Sequence, residues 1–145
     1  MLYTDSSAFA KRYLAEWMRE ETVGFVASAT VVAASLLAFT EVSSAIARAQ
    51  RDRLILRVEG SLLLGQLDED WRSVVALDVS FPVVRRAARF CQVHGLRAYD
   101  AVHLASALEW QDVIEQPVTF ATFDRALHRA ARDAGLVAWP ERLEA

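Results

Sequence analysis

Four acidic residues stand apart from other acids, in stretches that read as core: Asp5 in LYTDSSAFA, Glu41 in LLAFTEVSSAIA, Asp100 in AYDAVHLASAL and Asp124 in VTFATFD. Most other acids group as surface acids do: Glu16, Glu20 and Glu21, the run Asp68, Glu69 and Asp70, and Glu141 and Glu144 near the end. A carboxylate embedded in core-like sequence costs free energy unless something pairs with it. Four brought together repel one another, and a divalent cation is the usual compensation. Carboxylate oxygens suit Mg²⁺ or Mn²⁺. Such ions can activate water and stabilise the leaving oxygen of a phosphodiester. The pattern points to a hydrolytic metal site built from Asp5, Glu41, Asp100 and Asp124, one that needs no histidine or lysine as base. Taken singly, Asp5 and Asp124 read as helix caps and Asp100 as a first-turn acid. The four in order favour the site.

They meet only if the chain folds to bring them together. Residues 1–4 form a short apolar strand that ends at Asp5, and Ser6 caps a helix over SAFAKRYLAEWM. Residues 30–34 (TVVAA) form a second strand. Ser35 caps the next helix, which runs to Arg51 with Phe39, Val42, Ile46 and Ala49 as its core stripe and Glu41 on the flank. A leucine-rich helix over 53–70 is apolar nearly all round, so it is either sandwiched in the fold or offers a partner surface. A third strand covers 73–77, and Pro82 and Gly95 bound a helix over 81–94. A helix over 98–110 and a fourth strand over 118–121 come next. Thr122 then caps a helix over 123–134, stopped by Gly135, before a last strand over 136–139.

Strands alternate with helices and no hairpin signal occurs. The expected fold is a single α/β domain over residues 1–145, with a mostly parallel central sheet of about four or five strands flanked by helices on both faces. In such sheets the ligand crevice lies beyond the carboxyl ends of the strands, where strand order reverses. If the first and fourth strands are neighbours there, Asp5 and Asp124 face one crevice. Asp100 joins from a helix start and Glu41 reaches in from the side.

Composition bounds the alternatives. With 145 residues and 54% hydrophobic content, one core is expected and the composition argues against disorder. The lone Cys91 excludes an internal disulfide framework and a cysteine zinc site, and fits a reduced, cytoplasmic protein. Residues 22–40 carry no charge, but they are rich in Ala, Ser and Thr, include Gly24 and lack basic flanks. They read as a buried strand and a helix rather than a membrane span, and no signal peptide is evident. The net charge of −3 speaks against a nucleic-acid partner until the four acids are neutralised, when −3 + 4 gives +1. The basic residues are 15 Arg and one Lys, with groups at Arg48, Arg51, Arg53 and Arg57, at Arg85, Arg86 and Arg89, and at Arg125, Arg129 and Arg132. Arginine suits bidentate phosphate contacts, although any one group alone reads as a solvated helix face.

Other residues carry less. His103, one turn after Asp100, reads as a packed or orienting histidine rather than a ligand. His94 and His128 read as surface or helix-end residues, and Asp78 as a turn cap. Ser43 and Ser44 lack a nucleophile elbow, and no phosphate-binding glycine loop is present. The four tryptophans are too scattered to read as a base-stacking platform.

The chain resembles the PIN domain family, and more narrowly the VapC-type toxins of bacterial toxin–antitoxin pairs. The likeness spans YTDSSAFAKRY, FTEVSSAIAR, GLRAYDAVHLASAL and TFATFDRAL, in the family's order. It implies an endoribonuclease dependent on Mg²⁺ or Mn²⁺, with metal-site roles for Asp5, Glu41, Asp100 and Asp124 and supporting hydrogen bonds from Ser6 and Thr122. It also implies a homodimer and a cognate antitoxin that inserts a basic side chain among the acids. Two rivals stand beside it. A receiver-like phosphoacceptor domain normally wants paired acids after the first strand and a late lysine, whereas here Ser6 follows Asp5 and the only lysine is Lys11. A catalytically silent protein-binding module would not need all four acids.

Overall fold

The structure, a computed structural model, describes residues 1–143. Five short strands form one sheet: β1 (Leu2–Thr4), β2 (Val32–Ser35), β3 (Val75–Leu77), β4 (Thr119–Ala121) and β5 (Val137–Trp139). Every pairing is parallel, and the order β3-β2-β1-β4-β5 reverses between β1 and β4. The expected parallel α/β sheet is therefore present, and its switch point lies where Asp5 leaves β1.

The helices are α1 (Ser6–Phe9), continued by a 3₁₀ turn over Ala10–Arg12, then α2 (Arg19–Ser28), α3 (Leu36–Arg51), α4 (Arg57–Trp71), α5 (Phe81–His94), α6 (Ala98–Ile114) and α7 (Arg125–Asp133). Side chains alternate between the sheet's faces. Tyr3 and Phe120 pack with α5, α6 and α7, around Leu104, Leu108 and Leu127. Leu2 and Ala121 face the other way, onto Ala8 and Val26 of α1 and α2. Phe9, Val42, Ile46 and Leu67 join α1, α3 and α4 beside them. In α6, Ala101 through Leu108 are all buried, as expected of a helix apolar on every side. This places a helix bearing Asp100 and His103 deep in the molecule.

Four expectations need correction. The first helix is capped by Asp5 rather than Ser6. The first helix does not run on to Met18: it ends in the 3₁₀ turn, and Met18 takes a left-handed φ of 59° before α2 begins. Lys11 holds that corner, its buried ammonium donating to the Trp17 carbonyl at 2.7 Å. Helix α2 was not expected, because the uncharged run from Thr22 has the β-branched and small residues of a strand. Residues 22–40 are in fact divided among α2, β2 and α3, and among the described residues no helix is long and apolar enough to cross a membrane. Finally, α7 is capped by Asp124 rather than Thr122: Asp124 Oδ1 accepts the Leu127 amide at 2.8 Å. The leucine-rich helix is packed on one side and exposed on the other. Leu63, Leu64 and Leu67 pack inward, while Leu54, Leu56, Val58 and Leu62 are exposed at its start and outer face.

Candidate active site

Asp5 follows β1 directly and caps α1, its Oδ1 accepting the Ala8 amide at 2.9 Å. It is 3% exposed and makes no ion pair among the described residues. Two hydroxyls hold its oxygens in place. Ser7 Oγ donates to Oδ1 at 2.8 Å, and Thr122 Oγ1 donates to Oδ2 at 2.7 Å. Each hydroxyl is itself fixed by an amide of the loop after β4: Phe123 N–H donates to Ser7 Oγ at 2.8 Å and Asp124 N–H to Thr122 Oγ1 at 3.1 Å. The β1–β4 pairing thus locks the carboxylate from both sides. The serine on Asp5 is Ser7; no bond from the Ser6 side chain to the acids is present among the described residues. Burial pushes the Asp5 carboxyl upward from its ordinary value, opposed by His103 and by the bonds from Thr122, Ala8 and Ser7.

Glu41 enters from α3 and meets His103 of α6, with Oε2 2.6 Å from Nε2. His103 Nδ1 lies 2.9 Å from the Tyr3 hydroxyl, which also accepts the Ser35 amide at 3.2 Å. The two ring nitrogens of His103 thus link the Tyr3 hydroxyl to the Glu41 carboxylate. A chain of bonds through a fully buried tyrosine and histidine therefore aims Glu41. Burial raises the Tyr3 hydroxyl well above its usual value, with Asp5 and Glu41 adding to the effect, so it remains a donor at neutral pH.

Asp100 sits in the first turn of α6 and Asp124 at the start of α7, where the positive end of each helix dipole favours an anion. One guanidinium joins them. Arg97 Nε donates to Asp100 Oδ2 at 2.8 Å and its Nη2 to Asp124 Oδ2 at 3.3 Å. Asp100 first, then Asp124 and Glu41, hold this arginine more firmly protonated than usual. Its side chain is nevertheless 79% exposed. Sequence reading overlooked Arg97, although its place three residues before Asp100 is the spacing at which helical side chains meet.

Thr122 thus links the Asp5 carboxylate to the Asp124 backbone at the carboxyl end of β4, Arg97 joins Asp100 to Asp124, and His103 holds Glu41. An all-oxygen donor set at the end of a parallel sheet fits a hard divalent ion, and the ion-pair-free, buried Asp5 is the group such an ion would most relieve. As they stand, no three His, Cys, Asp or Glu side chains among the described residues form a ready metal-holding group. Arg97 supplies the positive charge between Asp100 and Asp124 instead.

The fold and these motifs can be set beside known proteins. The PIN domain family model matches residues 2–133. Ribonuclease VapC45 of Mycobacterium tuberculosis is 32% identical over 149 aligned residues, covering 99% of this chain and 98% of the relative. Among solved structures, FitAcB from Neisseria gonorrhoeae superposes with a TM-score of 0.69 at 18% identity, over 97% of this chain and 98% of that one. A toxin–antitoxin complex from Klebsiella pneumoniae gives 0.62 at 14% identity, over 86% and 87%. The likeness therefore extends from the four short motifs to the whole sheet and nearly the whole sequence, and the chain belongs to the PIN domain family, alongside the VapC ribonucleases.

Proposed function

We propose that this protein is a metal-dependent endoribonuclease, the toxin of a VapC-type toxin–antitoxin pair, which hydrolyses RNA phosphodiester bonds at the carboxylate cluster. The reading is supported by the bonds that tie Asp5 to Thr122 beside the switch point of the sheet, join Asp100 to Asp124 through Arg97 and hold Glu41 on His103. Magnesium or manganese, when bound, would polarise the phosphate and lower the pKa of an attacking water. Asp5 and Asp100 would hold the ion, with Glu41 and Asp124 beside them. Ser7 and Thr122 keep Asp5 from turning away, and His103 keeps Glu41 pointed inward. The positive charge of Arg97 suits the phosphate of an incoming strand.

The antitoxin and the dimer belong to the same proposal. Arg97 demonstrates that a guanidinium fits between Asp100 and Asp124, which supports inhibition by a basic side chain delivered by a partner. The exposed Leu54, Leu56, Val58 and Leu62 supply an apolar face for a protein contact. A reduced cytoplasmic setting suits the single free Cys91.

The test is digestion of RNA with magnesium or manganese, with EDTA, and by the Asp5→Asn and Asp100→Asn variants. Cleavage is expected only with metal and only by the wild type. Equal cleavage in EDTA, or by both variants, would end the proposal.

A further inference from the structure

The chain is acidic overall, with a net charge of −3, yet its arginines are not evenly spread. Arg125, Arg129 and Arg132 follow α7 at intervals of four and three residues, which places them on one face of the helix. All three are exposed. The C-terminal segment after β5 returns beside this face. His128 Nε2 meets the Pro140 carbonyl at 2.7 Å and ties the two walls together. Between them runs a groove of about 720 Å³, to which Arg142 adds a fourth guanidinium. Four arginines against the groove's two carboxylates, Asp133 and Glu141, leave a local charge of +4 − 2 = +2. None of the four makes an ion pair among the described residues, whereas Arg12, Arg72, Arg86 and Arg97 all do.

The groove starts one residue from Asp124. Asp124 caps α7 and Arg125 is the helix's first residue, so the row begins at the rim of the site and leads away from it. At 1.5 Å per residue, the row covers roughly 10 Å from Arg125 to Arg132. We propose that this groove binds the phosphate backbone of single-stranded RNA beyond the scissile bond and holds the strand in register over the carboxylates. It presents charge and guanidinium forks, but its lining has no Phe, Tyr or Trp, and its one ring, His128, is buried and bonded to Pro140. Its contribution is therefore affinity without sequence preference, carried by counterion release. The inference rests on the ribonuclease reading for its purpose.

The test measures binding of a labelled single-stranded RNA in EDTA, across a range of salt, for the wild type and an Arg129→Gln/Arg132→Gln variant. Thermal melting verifies that the variant folds. Affinity at low salt should fall roughly tenfold, and the slope of log K against log salt should become shallower by about 0.7 for each arginine removed. Unchanged affinity and slope would overturn the groove, as would stronger competition from polyglutamate than from unlabelled RNA, which would mark a surface for an acidic protein segment. Wild-type cleavage with magnesium or manganese is assayed in parallel. Arginine-dependent binding by a protein that cuts no RNA would support the groove and remove the nuclease reading.

Discussion

The two halves of the acid cluster are held in opposite ways. Asp5 and Glu41 are fixed from behind by buried hydrogen-bonding groups: Ser7, Thr122 and the Ala8 amide on one, and a His103–Tyr3 chain on the other. Asp100 and Asp124 are joined from the front by Arg97, whose side chain lies largely in solvent. Breaking the first set leaves polar groups unsatisfied in the core, which is expensive. Breaking the second costs little, because an exposed ion pair contributes little and water takes its place. One half is preorganised, and the other is guarded by a cation that a metal ion, a phosphate or a partner's arginine can displace or join.

The largest effect should come from the rigid half. Asp5→Asn should lower RNA cleavage by at least roughly a thousandfold while preserving the fold. Near-normal cleavage by this variant would remove Asp5 from the chemistry.

A smaller loss should follow when the positioning groups are cut. His103→Ala or Thr122→Val should reduce metal affinity or activity by roughly tenfold to a hundredfold. Tyr3→Phe should destabilise the fold by about 1–3 kcal/mol, because the Ser35 amide loses its acceptor, with less effect on cleavage. Chemical denaturation and kinetics on the same samples separate the two. Equal losses of activity in Tyr3→Phe and His103→Ala would mean that stability, rather than aim, is what the chain of bonds supplies.

The half joined by Arg97 predicts a change of opposite sign. Arg97→Gln should tighten Mn²⁺ binding by roughly twofold to fivefold, since a competing cation is gone. Calorimetry reads this directly. Weaker binding would make Arg97 a support of the site rather than its occupant.

The smallest effect is one of pH. Because the folded Asp5 carboxyl lies above its ordinary value of 3.8, the folded state holds more protons than the unfolded one between the two values. Its contribution therefore lowers stability as pH rises through that window. Subtracting the Asp5→Asn melting profile in EDTA from that of the wild type isolates it. A difference that grows in the wild type's favour with rising pH would contradict the burial argument.

Much of this was legible in the sequence because the relevant signals are local. Short β-prone runs, Pro82 and Gly95 and the Ser35 cap marked elements the structure contains. Four acids in uncharged surroundings marked the candidate site. What escaped depends on partners distant in sequence. Helix α2 has no amphipathic stripe and owes its place to Val26 and Phe25 packing on β1, β4 and Trp139. The choice between Ser6 and Ser7 is made by the Phe123 amide, which arrives with β4. Arg97 lies outside the arginine groups of the sequence, and only the approach of α7 shows that it serves two carboxylates at once.

The most direct measurement is calorimetric titration of manganese into the wild type, Asp5→Asn and Asp100→Asn, whose altered residues lie 95 positions apart (100 − 5). If β1 and α6 contribute to one ion site, the wild type binds and each substitution alone abolishes or greatly weakens that binding. Wild-type protein that takes up no ion, or either variant binding as tightly as the wild type, would contradict a shared site.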